Sequence, residues 1–136
     1  MPALQAIHKT DPQKDILKKV GKQADRIELF GNSILVAIYI PPETAKFGTL
    51  TLQRTDKERD EYKHQGKVGM VLKLGPQAYE DDEQTQFHGQ EVEVGDWVVF
   101  RPTEGWQLTL TENQVLCRVL VEANIRMRIP SPDAVW

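Results

Sequence analysis

The eight residues Ser33-Ile34-Leu35-Val36-Ala37-Ile38-Tyr39-Ile40 limit the fold more than any other stretch of this chain. The run is almost continuously apolar and rich in β-branched side chains, which reads as a strand buried on both faces. A second run alternates instead: Val68, Met70, Leu72 and Leu74 share one face, opposite Gly69, Val71 and Lys73. Between the two lies a polar excursion from Pro41 to Gly66. Pro41-Pro42 stops the first strand, and Gln53 to Gln65 carries equal numbers of basic and acidic side chains with Tyr62 as its one large ring. Such a segment has too little apolar surface to build a core. Inside it sits Gly48-Thr49-Leu50-Thr51-Leu52, with two leucines on one face of a potentially extended segment. A long connection in a compact domain is usually functional or disordered, so an apolar island within one reads as a hook that orders when a partner binds.

The rest of the chain punctuates into short strands. Met1 to Lys9 is featureless and is expected to be mobile unless a partner holds it. Asp11-Pro12 reads as an N-cap followed by proline at the first helical position, and Ile16, Leu17 and Val20 form an apolar stripe. A helix this short is marginal alone, so it must dock on its own domain, a neighbouring subunit or a foreign surface. Ile27 to Phe30 reads as a short strand, and Gly31-Asn32 as a turn. Gly75 to Gly89 is a second long connection, with Glu80-Asp81-Asp82-Glu83 at its tip. Calcium loops space their ligands and supply a turn glycine, so these adjacent carboxylates read as a solvated hairpin tip rather than a metal site. Glu91 to Val94 and Trp97 to Phe100 read as strands around a Gly95-Asp96 turn. Trp106, Leu108 and Leu110 alternate with polar residues, Val115 to Leu120 follows Glu112-Asn113, and Ile125, Met127 and Ile129 alternate with Arg126 and Arg128. Pro130 and Pro132 end the pairing. Regularly spaced short strands separated by turn residues predict an all-β fold, a small barrel. The expected divisions are an arm with a short helix at 1–26, the barrel at 27–129 and a tail at 130–136.

Composition excludes several functions. At 136 residues the chain suits one domain, and its net charge of −3 with no Lys/Arg cluster argues against a nucleic-acid surface. The single cysteine, Cys117, lies in an apolar run without a disulfide mate and reads as a buried, inert thiol in a reducing compartment. No stretch has the length of a membrane span, and Met1 to Thr10 lacks the apolar core of a secretion signal, so a soluble protein is expected. His8, His64 and His88 have no cysteine or carboxylate at ligand spacing, and neither Ser33 nor Ser131 sits in a nucleophile elbow. Phosphate-loop and dinucleotide signatures are missing as well. No enzyme, cofactor or metal is expected.

Several motifs resemble the GroES-type co-chaperonins. Glu43-Thr44, five residues and then Leu50-Thr51-Leu52 is similar to that family's mobile loop, in which a glycine-preceded hydrophobic tripeptide follows a Glu-Thr pair. Gly66 through Leu74-Gly75-Pro76 resembles the strand that ends in Gly-Pro-Gly, and Val92-Glu93-Val94-Gly95-Asp96-Trp97-Val98-Val99-Phe100 resembles the Val-x-Val-Gly-Asp-x-Val-x-Phe signature. The landmarks follow the family's order from Phe30 to about Ile129. The chain departs from it at Thr51, usually apolar, at Pro76, which no glycine follows, and in its N-terminal arm. Leu29 to Ile40 and the ending from Arg128 to Trp136 look most like versions carried by bacteriophages and prophages.

The resemblance implies a GroES-like barrel with a mobile loop and a roof hairpin, the latter carrying Gly75, Pro76, Glu80, Asp81, Asp82 and Glu83. Seven copies would form a dome that caps a chaperonin in the host cytoplasm, with Gly48, Leu50, Thr51 and Leu52 as the hook and the ATP held by the partner. Energetics point the same way. Burying Leu50 and Leu52 is worth roughly 3 to 6 kcal/mol, whereas ordering about ten loop residues costs on the order of 10 kcal/mol. One hook would not hold, but several on a closed ring bind at high effective concentration. The client would be a protein such as a capsid subunit. The alternative is a virion decoration or cement protein that contacts phage capsid proteins. Ile16, Leu17, Val20, Ile125, Met127, Ile129 and Trp136 are the candidate subunit or particle contacts.

Overall fold

The computed structural model describes residues 4–6, 11–40, 44–47, 50–53 and 67–134. The expectations that fall on Pro41-Pro42, Gly48, 54–66, His8, His64 and Trp136 lie outside the described residues. The chain is mostly β. Its main body is a six-stranded antiparallel sheet in the order β7-β8-β2-β5-β6-β9, built from β2 (Ser33–Ile38), β5 (Val68–Leu74), β6 (Trp97–Val99), β7 (Trp106–Leu110), β8 (Val115–Val121) and β9 (Met127–Ile129). β7 and β9 stand at its two ends, and no ladder between them closes the sheet among the described residues.

The continuous apolar run becomes β2, paired with β5 on one side and β8 on the other, and Ile34 to Tyr39 are all buried. Each face of the sheet carries a core. Leu35, Ala37 and Tyr39 join Met70, Trp97 and Cys117 on one face, while Ile34, Val36 and Ile38 join Val71, Val98 and Phe100 on the other. Both sides of β6 are therefore buried, where sequence alone requires only one.

The alternation of β5 holds only as far as Leu72. Val36 pairs with Val71 and Leu35 with Lys73, so Leu72 is an extra residue, a β-bulge. Beyond it Leu74 packs with the Val71 face instead of sharing the Met70 face. Lys73 consequently turns toward the N-terminal segment, and its ammonium donates to the carbonyls of Ala24, at 2.9 Å, and Ile27. Ile27 to Phe30 form no strand: a 3-10 turn at Ala24–Arg26 leads into them and the Lys73 ammonium occupies the Ile27 carbonyl. Glu91 to Val94 likewise form no strand. Val71 bonds instead to the following turn, donating to the Asp96 carbonyl and accepting from Gly95, and Gly95 takes a φ of 97° suited to glycine.

The helix α1 (Pro12–Val20) starts as its sequence predicts, the Asp11 carboxylate accepting from the Gln13 N–H, and ends at Gly21 with φ 56°. It docks on its own domain. Val20 is buried in the first core with Ile16 packed against it, Gln13 Nε2 donates to the Gly95 carbonyl at 2.8 Å, and Asn113 Nδ2 donates to the Lys19 carbonyl at 3.0 Å.

Gly75 explains one half of the Gly-Pro motif. Its N–H donates to the Ser33 carbonyl at 2.7 Å, and a Cβ there would stand 2.5 Å from the Gly31 oxygen and 2.9 Å from that of Ser33. Both obstacles are backbone, so relief requires moving the start of β2. Gly75→Ala should therefore lower stability by about 3 kcal/mol, as a drop in the urea midpoint with an unchanged slope.

Candidate docking surface

The excursion between β2 and β5 carries a second, smaller sheet. β3 (Thr44–Phe47) and β4 (Leu50–Gln53) pair antiparallel, and β1 (Leu4–Ala6) pairs antiparallel with the other edge of β3. Sequence alone suggests an unstructured connection here and a featureless N-terminus. The described parts, residues 4–6, 44–47 and 50–53, are strands instead, and a hairpin that is marginal by itself gains a third strand. Among the hook residues, Leu50 stands opposite Phe47, Thr51 opposite Lys46 and Leu52 opposite Ala45. Successive residues alternate between faces, so Leu50 and Leu52 share one face and Thr51 lies on the other. The polar residue that departs from the family pattern thus stands off the leucine face.

The base from which the excursion leaves is held by hydrogen bonds and ring packing. Tyr39 N–H donates to the Val68 carbonyl at 2.9 Å, joining the chain just before the excursion to the chain just after it, and Phe100 N–H donates to the Lys67 carbonyl at 2.9 Å. The buried Tyr39 ring meets Trp97 edge to face, with centroids 5.6 Å apart. Its hydroxyl donates to Asp133 Oδ1 at 2.6 Å, and Pro132 is buried beside it in the sequence. The C-terminal segment at 130–134 is therefore tied to its own domain at the foot of the excursion.

The other candidate contacts separate into two groups. Ile16, Val20, Ile125 and Ile129 are taken up by the chain's own cores, whereas Leu17 and Met127 remain exposed. In the second long connection Gly75 is buried while Pro76 and Glu80 to Glu83 are exposed, and turns replace the expected hairpin. Asp82 Oδ1 accepts from the N–H groups of Gln84 and Thr85, at 2.8 and 2.7 Å, and Asp81 Oδ1 accepts from that of Phe87 at 2.7 Å. Two of the four carboxylates hold their own loop in shape. Tyr79 and Phe87 brace it with an edge-to-face contact at 5.2 Å. Among the described residues no cluster of histidine, cysteine and carboxylate side chains forms a metal site.

Three contributions escaped sequence reasoning. β1 is too short and mixed to signal a strand. The Tyr39–Asp133 pair is separated by most of the chain. Arg118, 4% exposed, donates to the carbonyls of Pro102 and, at 2.8 Å, Glu104, with its guanidinium 5.9 Å from the centre of the Phe100 ring. For Arg118 a signal existed: a charge interrupting the apolar run Val115 to Val121.

Cys117 is fully buried, and desolvation pushes its thiol up to about 12 from an ordinary value of 9.0. Tyr79 is pushed up to about 12 from 10.0, chiefly by burial and secondarily by Glu122. In both, folding favours the protonated form, so this contribution to stability is intact at neutral pH. It is lost as pH rises from about 9 toward 12. The native thiol should be inert to a disulfide reagent at pH 8, and Cys117→Ala should flatten the alkaline fall in stability, leaving the Tyr79 part.

Among the described residues no helix is long and apolar enough to cross a membrane. The chain matches no protein-family model, and no curated protein matches it.

Proposed function

We propose that this protein is a phage-type co-chaperonin: a ring-forming lid on a GroES-like barrel that docks on a chaperonin through a hydrophobic hook and assists folding of a client such as a capsid protein. The observation that carries the reading is the register of β4, which puts Leu50 and Leu52 on one face of a hairpin and Thr51 on the other. That hairpin springs from between the two central strands of the main sheet, on a base pinned by Tyr39 and Lys67. The excursion is thus anchored at both ends by backbone hydrogen bonds of the main sheet.

The barrel is supported by contacts between the ends of the sheet. Glu104, just before β7, lies 3.9 Å from Arg126, just before β9, and Arg118 of β8 reaches the chain that follows β6. A virion decoration role would use the C-terminal tail to grip neighbours; the intrachain Tyr39–Asp133 bond weighs against that use of residues 130–134.

Two measurements test the proposal. The purified 15.5 kDa chain should run as a ring by native mass spectrometry, seven subunits if it follows the co-chaperonins, and should co-sediment with a bacterial chaperonin only when ATP is present. A monomer that ignores the chaperonin, or a protein found only on assembled particles, would sink the reading.

A further inference from the structure

Between the second long connection and the chain from Glu122 to Arg128 lies a cavity of about 530 Å³. That volume falls in the range of small-ligand sites. Much of its wall is apolar: the Tyr79 and Phe87 rings, set edge to face, stand with Val92 and Ile125 of the second core and with the half-exposed Met127. Two wall residues hold a left-handed backbone, Tyr79 at φ 60° and His88 at φ 55°. Side chains of this size are strained there, and such strain gathers where a binding site is held in shape.

The charge around this cavity is unbalanced. Glu122 lines it with a half-buried side chain whose Oε2 is buried without a hydrogen-bond donor, and which makes no ion pair among the described residues. A buried acceptor left unmet is costly, a carboxylate most of all. The two cations of the same wall are engaged elsewhere: Arg126 lies 3.9 Å from Glu104, while Arg128 lies 3.3 Å from Asp96 and donates to the Glu91 carbonyl at 3.0 Å. The Tyr79 hydroxyl registers the difference. After burial, the Glu122 charge raises it most, and the opposing pull of Arg128 is smaller.

We propose that this cavity binds an organic cation, a primary ammonium carried on an aliphatic stem, with Glu122 receiving the ammonium and the Tyr79–Phe87 pair packing the stem. An ammonium brings hydrogen-bond donors and no acceptor, which is what the unmet carboxylate oxygen lacks. Its charge also gains from the neighbouring aromatic rings. An anion meets the uncompensated Glu122 charge, and a wholly apolar ligand leaves Oε2 as it is, so both are excluded by the same group. A free aliphatic amine and a lysine side chain of a bound polypeptide share this chemistry. The site lies outside the excursion between β2 and β5 and does not rest on the function proposed above.

Calorimetric titration of the full-length protein tests this with cadaverine and acetyl-Ala-Lys-Ala-amide as the cations, and with pentanol and glutarate as neutral and anionic counterparts of the diamine. At least one cation should bind with a millimolar or tighter Kd, pentanol and glutarate should not, and Glu122→Gln should weaken the binding at least about tenfold. Glu112→Gln, in the β7–β8 turn where the carboxylate lies 3.7 Å from Arg26, should bind as wild type. During the titration the Met127 methyl resonance should move while that of Met70, buried in the opposite core, stays in place. Binding of cadaverine alone assigns the site to a free amine, and binding of the peptide alone assigns it to a lysine side chain; either upholds the ammonium site. Failure of both cations to bind up to about 10 mM, equal binding of glutarate, wild-type affinity in Glu122→Gln or an unmoved Met127 methyl would each overturn it. So would a fall in the thermal midpoint of Glu122→Gln, since the carboxylate would then be satisfied within its own chain.

Discussion

Leu52→Asp should abolish ATP-dependent binding to a chaperonin while leaving the protein folded and assembled. The register puts Leu52 on the same face of its strand as Leu50, so the substitution carries a carboxylate into the proposed groove. Burying an ionised carboxylate without a partner costs several kcal/mol per site. A ring multiplies that penalty, because each hook contributes to the same avidity. Thr51→Asp is the matched control: the same charge one residue away stands on the opposite face of the strand, in register with Lys46, and should leave most of the binding. The pair is scored by chaperonin pull-down with and without ATP and by native mass. Equal loss from both variants would mean that charge in the hairpin, not the leucine face, is what matters, and persistence of binding in Leu52→Asp would remove the hook from the mechanism.

Phe100→Ala and Trp97→Ala should each destabilise the fold by about 3 to 5 kcal/mol. The two rings lie in opposite cores, Phe100 with Val36 and Val98, Trp97 with Tyr39 and Met70. Loss of either leaves a cavity that β6, held between β5 and β9, cannot readily close. At Phe100 the truncation also removes the ring beneath the Arg118 guanidinium, leaving a buried cation that keeps only its carbonyl partners. Urea midpoints of both variants measure this. A change within about 0.5 kcal/mol at either site would contradict the two-core arrangement. Because the cores share β6 and its neighbour β5, the double variant should leave no folded protein at room temperature.

Much of the architecture was legible because its causes are local. A strand without a polar face has to lie in the middle of a sheet with cover on both sides, and Ser33 to Tyr39 does. Asp11-Pro12 and Gly21 bound α1 through hydrogen bonds to residues one turn away. The leucine spacing around Thr51 needed only that the segment be extended. What sequence alone misjudged depended on distant partners. The alternation of β5 breaks at Leu72 because β2 demands a bulge there, and nothing within β5 announces it. Ile27 to Phe30 looks like a strand, yet the Lys73 ammonium, freed by that bulge, takes its carbonyl. Trp106 and Leu108 have the alternation of a core-facing strand, but β7 stands at the end of the sheet, where they are 81% and 37% exposed.

The sequence by itself determined where α1, β2 and β5 to β9 lie, that the body is mostly β, and that an apolar pair of leucines sits inside a polar excursion. These follow from side-chain periodicity, capping and turn chemistry, each acting within a few residues. Only the tertiary structure decided that α1 packs on its own domain, that Asp133 closes on Tyr39, and that Leu4 to Ala6 completes a sheet with the hook. Those pairings join residues far apart in the chain. Their free energy comes from burial and hydrogen bonds made across the fold, which no local pattern encodes.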